Sequence, residues 1–315
     1  MPVPFPLEEN RHMMRYADNS RRPNFSKDPA VVRLHGRYLL YYSIPPHGDG
    51  RTDDGWGIGV AESHDLDNWQ PIAALSPFGL YEKKGFCAPG AIVLNGRVHL
   101  FYQTYGNGRH DAICHASSSD GVTFERNPSN PVFKASGNWN CGRAIDADVV
   151  VNGDQLLLYW ATRDPDFKQQ LIGVAAAPLS SSFGPNDWQQ LCDQSILRPE
   201  LPWEGDCIEG PALFRHNGVL HMFYAGAYNN WPQQIGCARS LDGVHWQRLS
   251  DKPVLPNGAP GTWNACESGH PFAFTDDDGS VHLFFQGNND MGKTWFISRL
   301  RVLWDEDKDL PRFQL

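Results

Sequence analysis

Three acidic residues and one histidine stand at matching places along the sequence. Asp28, Asp146 and His270 each begin a stretch of apolar and aromatic residues. Glu209 lies one residue before a fourth stretch of this kind. Two carboxyl groups that share a site can act as a general acid and a general base, because the charge of one raises the pKa of the other. Taken singly, an aspartate at such a place would more simply cap a turn.

A repeat of about sixty residues connects these positions. Five segments share one plan, in which a short apolar strand is followed by a glycine-containing turn and a second strand with aromatic residues: DPAVVRLHGRYLLYY, APGAIVLNGRVHLFY, DADVVVNGDQLLLYW, GPALFRHNGVLHMFY and HPFAFTDDDGSVHLFF. A third strand follows in every copy, and a short fourth strand follows in the first four. The repeat predicts an all-β fold, a five-bladed β-propeller with four antiparallel strands per blade.

The first residues of the copies recur at intervals of 60, 58, 64 and 60 and are Asp28, Ala88, Asp146, Gly210 and His270. In a propeller the innermost strand of each blade runs beside the central axis, so residues at its start surround one end of the channel. Turn capping does not explain why acidic residues take the position that alanine and glycine occupy in other copies. We therefore expect the two aspartates, the histidine and Glu209 to converge on one pocket.

The whole chain, residues 1–315, is expected to form this single catalytic domain. Thirty glycines, 24 prolines and 11 tryptophans favour short strands and tight turns, and helix-like segments of ten or more residues are absent. The fifth copy has no clear fourth strand. The C-terminal tail WDEDKDLPRFQL and the N-terminal extension, residues 1–25, are both available to close the ring, and the sequence does not choose between them.

Five short motifs, in this order, resemble the five-bladed propeller glycoside hydrolases of family 43 and their relatives. They are KDP at 27–29, AP at 88–89, AIDAD at 144–148, IEGP at 208–211 and GHP at 269–271. The resemblance extends from about Asp28 to Leu303 and implies a glycosidase similar to arabinofuranosidases, xylosidases or anhydrogalactosidases. Two departures, Ala147 where the family often has proline and APG in the second copy, bear on the substrate subgroup.

The resemblance also implies roles for the four residues. Glu209 matches the general acid, Asp28 the general base, and Asp146 the aspartate that orients the acid and tunes its pKa. His270 matches an axial histidine that binds a water or, in some relatives, a calcium ion. No cofactor is required, and a structural calcium on the axis, held by His270 through waters, is the metal to expect.

The expected function is exo-acting cleavage of a terminal sugar, with inversion, from an oligosaccharide. Arabinofuranosides and xylosides are the first substrates that the resemblance suggests. Three alternatives remain: a retaining fructosidase-like enzyme, a phosphorylase-like enzyme and a non-catalytic carbohydrate-binding propeller. Carboxyl groups roughly 6.5–9.5 Å apart go with inversion, and groups about 5–5.5 Å apart go with retention. Phosphorolysis needs clustered cations, and Arg143 is the only one evident near the motifs.

Further residues near the motifs are candidates for substrate binding. Arg143 precedes AID and suits a sugar hydroxyl or a carboxylate, and aromatic faces stack on sugars. The candidates are Arg143, Phe86, Trp139, Trp203, Trp231, Glu267 and His270. Glu267 and Asp148 are the chief rivals for the acidic roles. Trp69, Trp188 and Trp246, in the outer strands, are expected to pack between blades.

Charge and cysteine content exclude several classes of partner. The formal charge is −9 and no block of Lys or Arg occurs, so neither a nucleic acid nor a membrane is expected to bind. The seven cysteines are scattered singly, which is typical of free thiols in a reducing compartment. The start of the sequence does not resemble a secretion signal. A cytoplasmic location with an oligosaccharide substrate is therefore expected, whereas the oligomeric state is not predicted.

Overall fold

Each copy of the repeat forms one four-stranded antiparallel sheet in the computed structural model, which describes residues 13–52 and 54–315. Blade one consists of β1 (Lys27–Leu34), β2 (Arg37–Ile44), β3 (Gly57–Ser63) and β4 (Gln70–Ala74). Blade two consists of β5 (Phe86–Leu94), β6 (Arg97–Thr104), β7 (Ile113–Ser118) and β8 (Glu125–Arg126). Blade three consists of β9 (Ile145–Asn152), β10 (Gln155–Arg163), β11 (Gln170–Pro178) and β12 (Gln189–Gln190).

Blades four and five repeat this order. Blade four consists of β13 (Ile208–His216), β14 (Val219–Gly226), β15 (Gln234–Ser240) and β16 (Gln247–Arg248). Blade five consists of β17 (Glu267–Thr275), β18 (Val281–Asn288), β19 (Phe296–Asp305) and β20 (Leu310–Gln314). The first strands of the blades pack side by side around the axis, and β1 lies between β5 and β17. The all-β five-bladed propeller predicted from the repeat is therefore confirmed.

Helix is nearly absent from the described residues, where it is limited to two 3₁₀ turns, Gly108–His110 and Pro202–Glu204. No helix among them is long and apolar enough to cross a bilayer. The hairpins between first and second strands have turns of the expected kind. Asn95 and Gly96 have φ values of 51° and 74°, as a two-residue type I′ turn requires.

Aromatic side chains between blades hold the ring together. Trp69, Trp188 and Trp246 lie near the fourth strands of their blades and each reaches the blade before its own, as predicted. Their ring centroids lie 6.1, 5.7 and 5.7 Å from those of Phe284, Phe101 and Tyr159, in that order. All three pairs are edge-to-face, which is a favoured geometry for aromatic rings.

The fifth blade completes its sheet with the C-terminal tail. β20 pairs antiparallel with β19, so that Phe313 lies opposite Val302. The described part of the N-terminal extension lies beside the start of β19, where Tyr16 and Ile297 exchange two backbone hydrogen bonds of 2.8 Å. The Tyr16 hydroxyl donates to the Tyr42 hydroxyl of blade one at 2.7 Å. This segment therefore joins the last blade to the first. Residues 1–12 of the extension lie outside the described part of the chain.

Candidate active site

The first strands share a backbone feature at the position picked out by the repeat. The five residues there have left-handed φ values, namely 52° at Asp28, 48° at Ala88, 51° at Asp146, 55° at Gly210 and 40° at His270. The register between the first and second strands shifts at each of these points. Left-handed backbone strains a residue with a Cβ atom, and such strain recurs at functional sites.

The neighbouring blade holds four of these strained residues in place. The Asp28 amide donates to Gln286 Oε1 at 2.9 Å, and the Asp146 amide donates to Gln103 Oε1 at 2.8 Å. The His270 amide donates to Gln233 Oε1 at 3.1 Å. A serine does the same for Ala88. The shifted register leaves each of these backbone amides without a partner in its own sheet, and the neighbouring blade supplies one. These hydrogen bonds therefore fix the backbone from which each side chain projects.

A cavity of about 320 Å³ lies where these positions meet on the axis. Asp28, Asp146, Glu209 and His270 all line it, together with Arg143. The other lining residues are Lys27, Trp56, Cys87, Ala88, Gln103, Tyr105, Ile145, Arg163, Gln170, Tyr228 and Asn229. The four residues that the repeat places in one pocket are thus found together in the structure.

His270 lies between two of the carboxylates. Its Nε2 atom is 3.6 Å from Asp28 Oδ1 and 3.5 Å from Asp146 Oδ1. Burial alone would lower the pKa of His270, but the charges of Asp28 and Asp146 outweigh it and raise the pKa to about 9. The side chain is therefore an imidazolium at neutral pH. Burial would likewise raise the pKa of Asp28, but the charges of His270 and Lys27 lower it overall, so Asp28 is ionised.

Glu209 lies in the opposite electrostatic environment. Burial and the charge of Asp146 raise its pKa. Its Oε1 atom accepts a hydrogen bond of 2.7 Å from Gln233 Nε2, and its Oε2 atom accepts one from Gln170 Nε2. These amides hold the carboxyl group in one orientation. The cavity therefore contains one carboxyl group biased towards the acid form and one held as a base.

Lys27 supplies a buried cation next to Asp28. Its Nζ atom donates to Asn229 Oδ1 at 2.7 Å and lies 4.5 Å from the centre of a Trp295 ring. Burial would lower its pKa, but the carboxylates of Asp28 and Glu267 outweigh burial and raise it. Lys27 therefore stays charged and helps to keep Asp28 ionised.

Several residues predicted to bind substrate lie outside the lining of this cavity. Phe86 is fully buried inside blade two, 5.8 Å from Tyr102. Trp139 is half-buried against the core shared by blades two and three, and Trp203 stacks on Tyr224. Trp231 is 79% exposed. Aromatic residues close in sequence to the motifs thus pack in the blades or face solvent, whereas Trp56 lines the cavity.

The two rival carboxylates are also placed elsewhere. Glu267 is fully buried behind the cavity and accepts hydrogen bonds from Gln286 and from the Asn230 amide. Burial raises its pKa to about 7. Asp148 lines a second, mostly apolar cavity farther along the axis, where burial raises its pKa to about 7. Neither residue is among those lining the cavity that contains Glu209.

Comparison with known proteins places the chain in a family. The model of the family described as glycosyl hydrolases family 43 matches residues 18–308, which is most of the chain. The chain belongs to glycosyl hydrolases family 43. The resemblance read from the five motifs is therefore confirmed.

Two curated relatives and one solved structure show the extent of the similarity to individual proteins. The chain is 21% identical over 319 residues to a xylosidase/arabinosidase of Butyrivibrio fibrisolvens, covering 93% of this chain and 56% of that protein. It is 26% identical over 134 residues to a β-1,2-mannobiose phosphorylase of Thermoanaerobacter sp., covering 38% and 42%. A thermostable family-43 glycoside hydrolase of known structure superposes with a TM-score of 0.73 at 20% identity, covering 95% and 96%. The chain thus spans about half the length of the curated relatives it matches.

The residues that support the carboxyl groups in the cavity of this family 43 protein were not predicted from the sequence. Gln170 and Arg163 stand at the facing ends of β11 and β10, and Gln233 directly precedes β15. Two other supporting residues could have been predicted from their place in the repeat. Ser43 and Gln103 each follow a pair of aromatic residues in the second strand, and both accept an amide of the next blade.

The residues present do not fit a calcium ion bound directly by side chains. Calcium takes six to eight oxygen ligands, and the described residues contain no group of three His, Cys, Asp or Glu that could hold a metal ion. His270 Nε2 faces carboxylates as a cation. Its Nδ1 atom is buried and has no hydrogen-bond partner among the described residues, which suits a water on the axis.

Proposed function

We propose that this chain is an exo-acting glycoside hydrolase that removes a terminal sugar with inversion, and that Glu209 is its general acid and Asp28 its general base. The observation that carries the proposal is the contrast between two carboxyl groups in one cavity. The pKa of Glu209 is raised and that of Asp28 is lowered. Pairs of carboxyl groups pushed apart in this way identify the acid and the base of a glycosidase.

Each step of the reaction has a residue to perform it. Glu209 donates its proton to the glycosidic oxygen as the bond to the anomeric carbon breaks. Asp28 removes a proton from the water that attacks that carbon from the opposite face. Asp146, whose charge adds to burial in raising the pKa of Glu209, favours the acid form of Glu209 and orients it through the electrostatic field of the site. The imidazolium of His270 lies beside both aspartates and lowers the pKa of Asp28.

The dimensions of the cavity support exo action. A volume of about 320 Å³ is at the small end of ligand sites, which run from about 300 to 1,000 Å³, and suits a terminal sugar better than a long chain. Terminal arabinofuranosides or xylosides are the proposed substrates, supported by family membership and by similarity to a xylosidase/arabinosidase. A non-catalytic propeller would not need its three carboxyl groups in one cavity.

Phosphorolysis is the second candidate, and one observation favours it. Arg143 is the only cation singled out from the sequence, but Lys27 of the KDP motif and Arg163 also line the cavity. Clustered cations are what a bound phosphate needs. Release of free sugar in phosphate-free buffer would exclude an obligatory phosphorolysis, whereas formation of a sugar 1-phosphate would establish it.

The test is a set of matched carboxylate variants. Glu209→Gln and Asp28→Asn are expected to fold normally and to lower kcat/KM by about 10²-fold or more, since each removes a general acid or base. Asp148→Asn is the control, because it neutralises a buried carboxyl group of similar surroundings outside the cavity. Aryl arabinofuranosides and xylosides serve as substrates, and proton NMR follows the anomer first released. Near-normal turnover by Glu209→Gln would overturn the assignment, and first release of the retained anomer would overturn inversion.

A further inference from the structure

Two arginines lie side by side at the mouth of the cavity. Arg143 lies two residues before the start of β9, and Arg163 ends β10. Ala161 of β10 pairs with Ile145 of β9, so Arg163 and Arg143 stand two residues beyond this pair on adjoining chains. The Cys141 amide donates to the Arg163 carbonyl at 2.9 Å, which keeps the two chains together at this point. Like charges opposite each other on adjacent strands are destabilising, so this pairing needs a compensating anion.

The protein supplies only part of that compensation. The Arg143 Nε atom lies 3.7 Å from Asp111 Oδ2 and is buried without a hydrogen-bond partner among the described residues. The carboxylate of Asp111 also accepts from the Asn107 amide and the Thr104 hydroxyl. Arg163 has no carboxylate partner among the described ion pairs. Its guanidinium group instead lies 5.3 Å from the centre of the Tyr228 ring.

The wider charge of the cavity points the same way. The chain carries a formal charge of −9, yet its cavity is lined by Lys27, Arg143 and Arg163 as well as by the imidazolium of His270. Three of these cations have a carboxylate beside them, namely Asp28 next to His270, Asp111 next to Arg143 and Asp28 with Glu267 near Lys27. Arg163 has none among the described ion pairs. A neutral sugar gives no reason to gather this charge in an acidic protein, whereas an anionic ligand does.

The position of Arg163 identifies the side of the cavity on which the anion binds. Its Nε atom donates to Gln170 Oε1 at 3.3 Å, and Gln170 Nε2 donates to Glu209. Arg163 is therefore on the side of the acid, where the leaving group departs. A phosphate acting as nucleophile would approach from the opposite face, beside Asp28. The cation there is Lys27, which already has Asn229 and Asp28 as partners.

We propose that Arg143 and Arg163 form an anion subsite that binds the carboxylate of a uronic acid sugar on the leaving-group side of the scissile bond. The anion subsite itself is argued from the two arginines, whereas its assignment to the leaving-group side rests on the proposed function, in which Glu209 is the general acid. Guanidinium groups bind carboxylates through paired, charge-assisted hydrogen bonds. The rings of Phe167 and Tyr228 flank Arg163 and hold its guanidinium in place. The substrate class is thus an oligosaccharide in which a terminal neutral sugar is attached to an acidic one.

The test measures binding and does not depend on turnover. Galacturonate and glucuronate are titrated into the wild-type protein by calorimetry at neutral pH and low ionic strength, alongside galactose, glucose and inorganic phosphate. Charge-assisted hydrogen bonds correspond to about 10- to 100-fold in affinity, so the uronates are expected to bind at least about 10-fold more tightly than the neutral sugars. Added salt is expected to reduce this preference, because it screens the charges.

Two arginine variants test whether the preference for uronates over neutral sugars depends on the proposed subsite. Arg163→Met is expected to abolish it, whereas Arg301→Met retains it, since Arg301 is an exposed residue of β19 away from the cavity and carries the same charge. Thermal unfolding shows whether each variant is folded, and Arg143→Met replaces Arg163→Met if the latter is not.

Equal binding of uronates and neutral sugars, absence of uronate binding at millimolar concentration, or an unchanged preference in the folded variant would each overturn the proposal. Binding of phosphate without binding of uronates would overturn it in favour of phosphorolysis. None of these results depends on the turnover of Glu209→Gln, so failure of the subsite and failure of the proposed hydrolysis are separate outcomes.

Discussion

The charge of His270 should set the pH range of activity. Replacing His270 with glutamine removes a positive charge from the space between Asp28 and Asp146 and leaves a neutral side chain of similar reach. Since the pKa of His270 is about 9, the wild-type side chain is charged throughout the range in which the enzyme would be assayed. The substitution therefore changes the electrostatics of the site at every working pH.

The size of the effect follows from the distance. At an effective dielectric constant of about 20, two unit charges separated by the 3.6 Å between His270 Nε2 and Asp28 Oδ1 attract by about 4.6 kcal/mol, which is about 3 pK units. Water that enters the emptied space will reduce this value. We expect the pKa of Asp28 to rise by about 1–2 units. The pKa of Glu209 should rise as well, because His270 also lowers it.

The assay is the pH dependence of kcat/KM, which reports the acid and base of the free enzyme. Activity is lost on the acidic side as Asp28 is protonated and on the alkaline side as Glu209 is ionised. Both limbs should therefore move to higher pH in His270→Gln. The control is His282→Gln, because the pKa of His282 is about 4 and its replacement removes no charge at neutral pH. A His270→Gln profile that falls in height without moving would refute the electrostatic role of His270.

Two further predictions concern stability. Arg248 donates to both oxygens of the fully buried Glu204, at 2.8 and 2.9 Å, so Arg248→Met should lower the free energy of unfolding by about 3–5 kcal/mol; an unchanged urea midpoint would contradict this. Asp148 has a folded-state pKa of about 7, above its unfolded value, so its contribution to stability is present below about pH 4 and is lost as the pH rises through 7. Asp148→Asn should therefore be more stable than wild type by about 2–4 kcal/mol at pH 8 and equal to it at pH 4, and an equal difference at both pH values would disprove the buried charge.

The sequence could predict whatever follows from the repeat. The places of Asp28, Asp146 and His270 are set by the start of each first strand, and packing of Trp69 and Trp188 between blades is set by their place near the fourth strand. These features depend on an alternation that every copy shares, so comparison of the copies reveals them.

The residues that support Glu209 and Glu267 could not all be predicted in this way. Glu267 lies three residues before His270 and Glu209 one before Gly210, so both have the parity that faces the same side of a strand. The two glutamates differ in their hydrogen-bond partners. Gln286 and the Asn230 amide bind Glu267, and these residues are distant in sequence. Loop paths decide such contacts, which is also why Arg163 was missed.

One backbone position therefore serves different purposes in different blades, according to its side chain. Its left-handed conformation is the same in every blade, so the site is specified by the residue that each copy places there. Ala88 leaves room in the cavity, whereas Asp28 and His270 contribute charge. In blade four, a Cβ atom at Gly210 would lie 3.4 Å from His270 Cα and Cγ. Glycine adopts the left-handed conformation without strain and packs against His270, and the carboxyl group of this blade stands one residue earlier at Glu209, where the amides of Gln170 and Gln233 reach it.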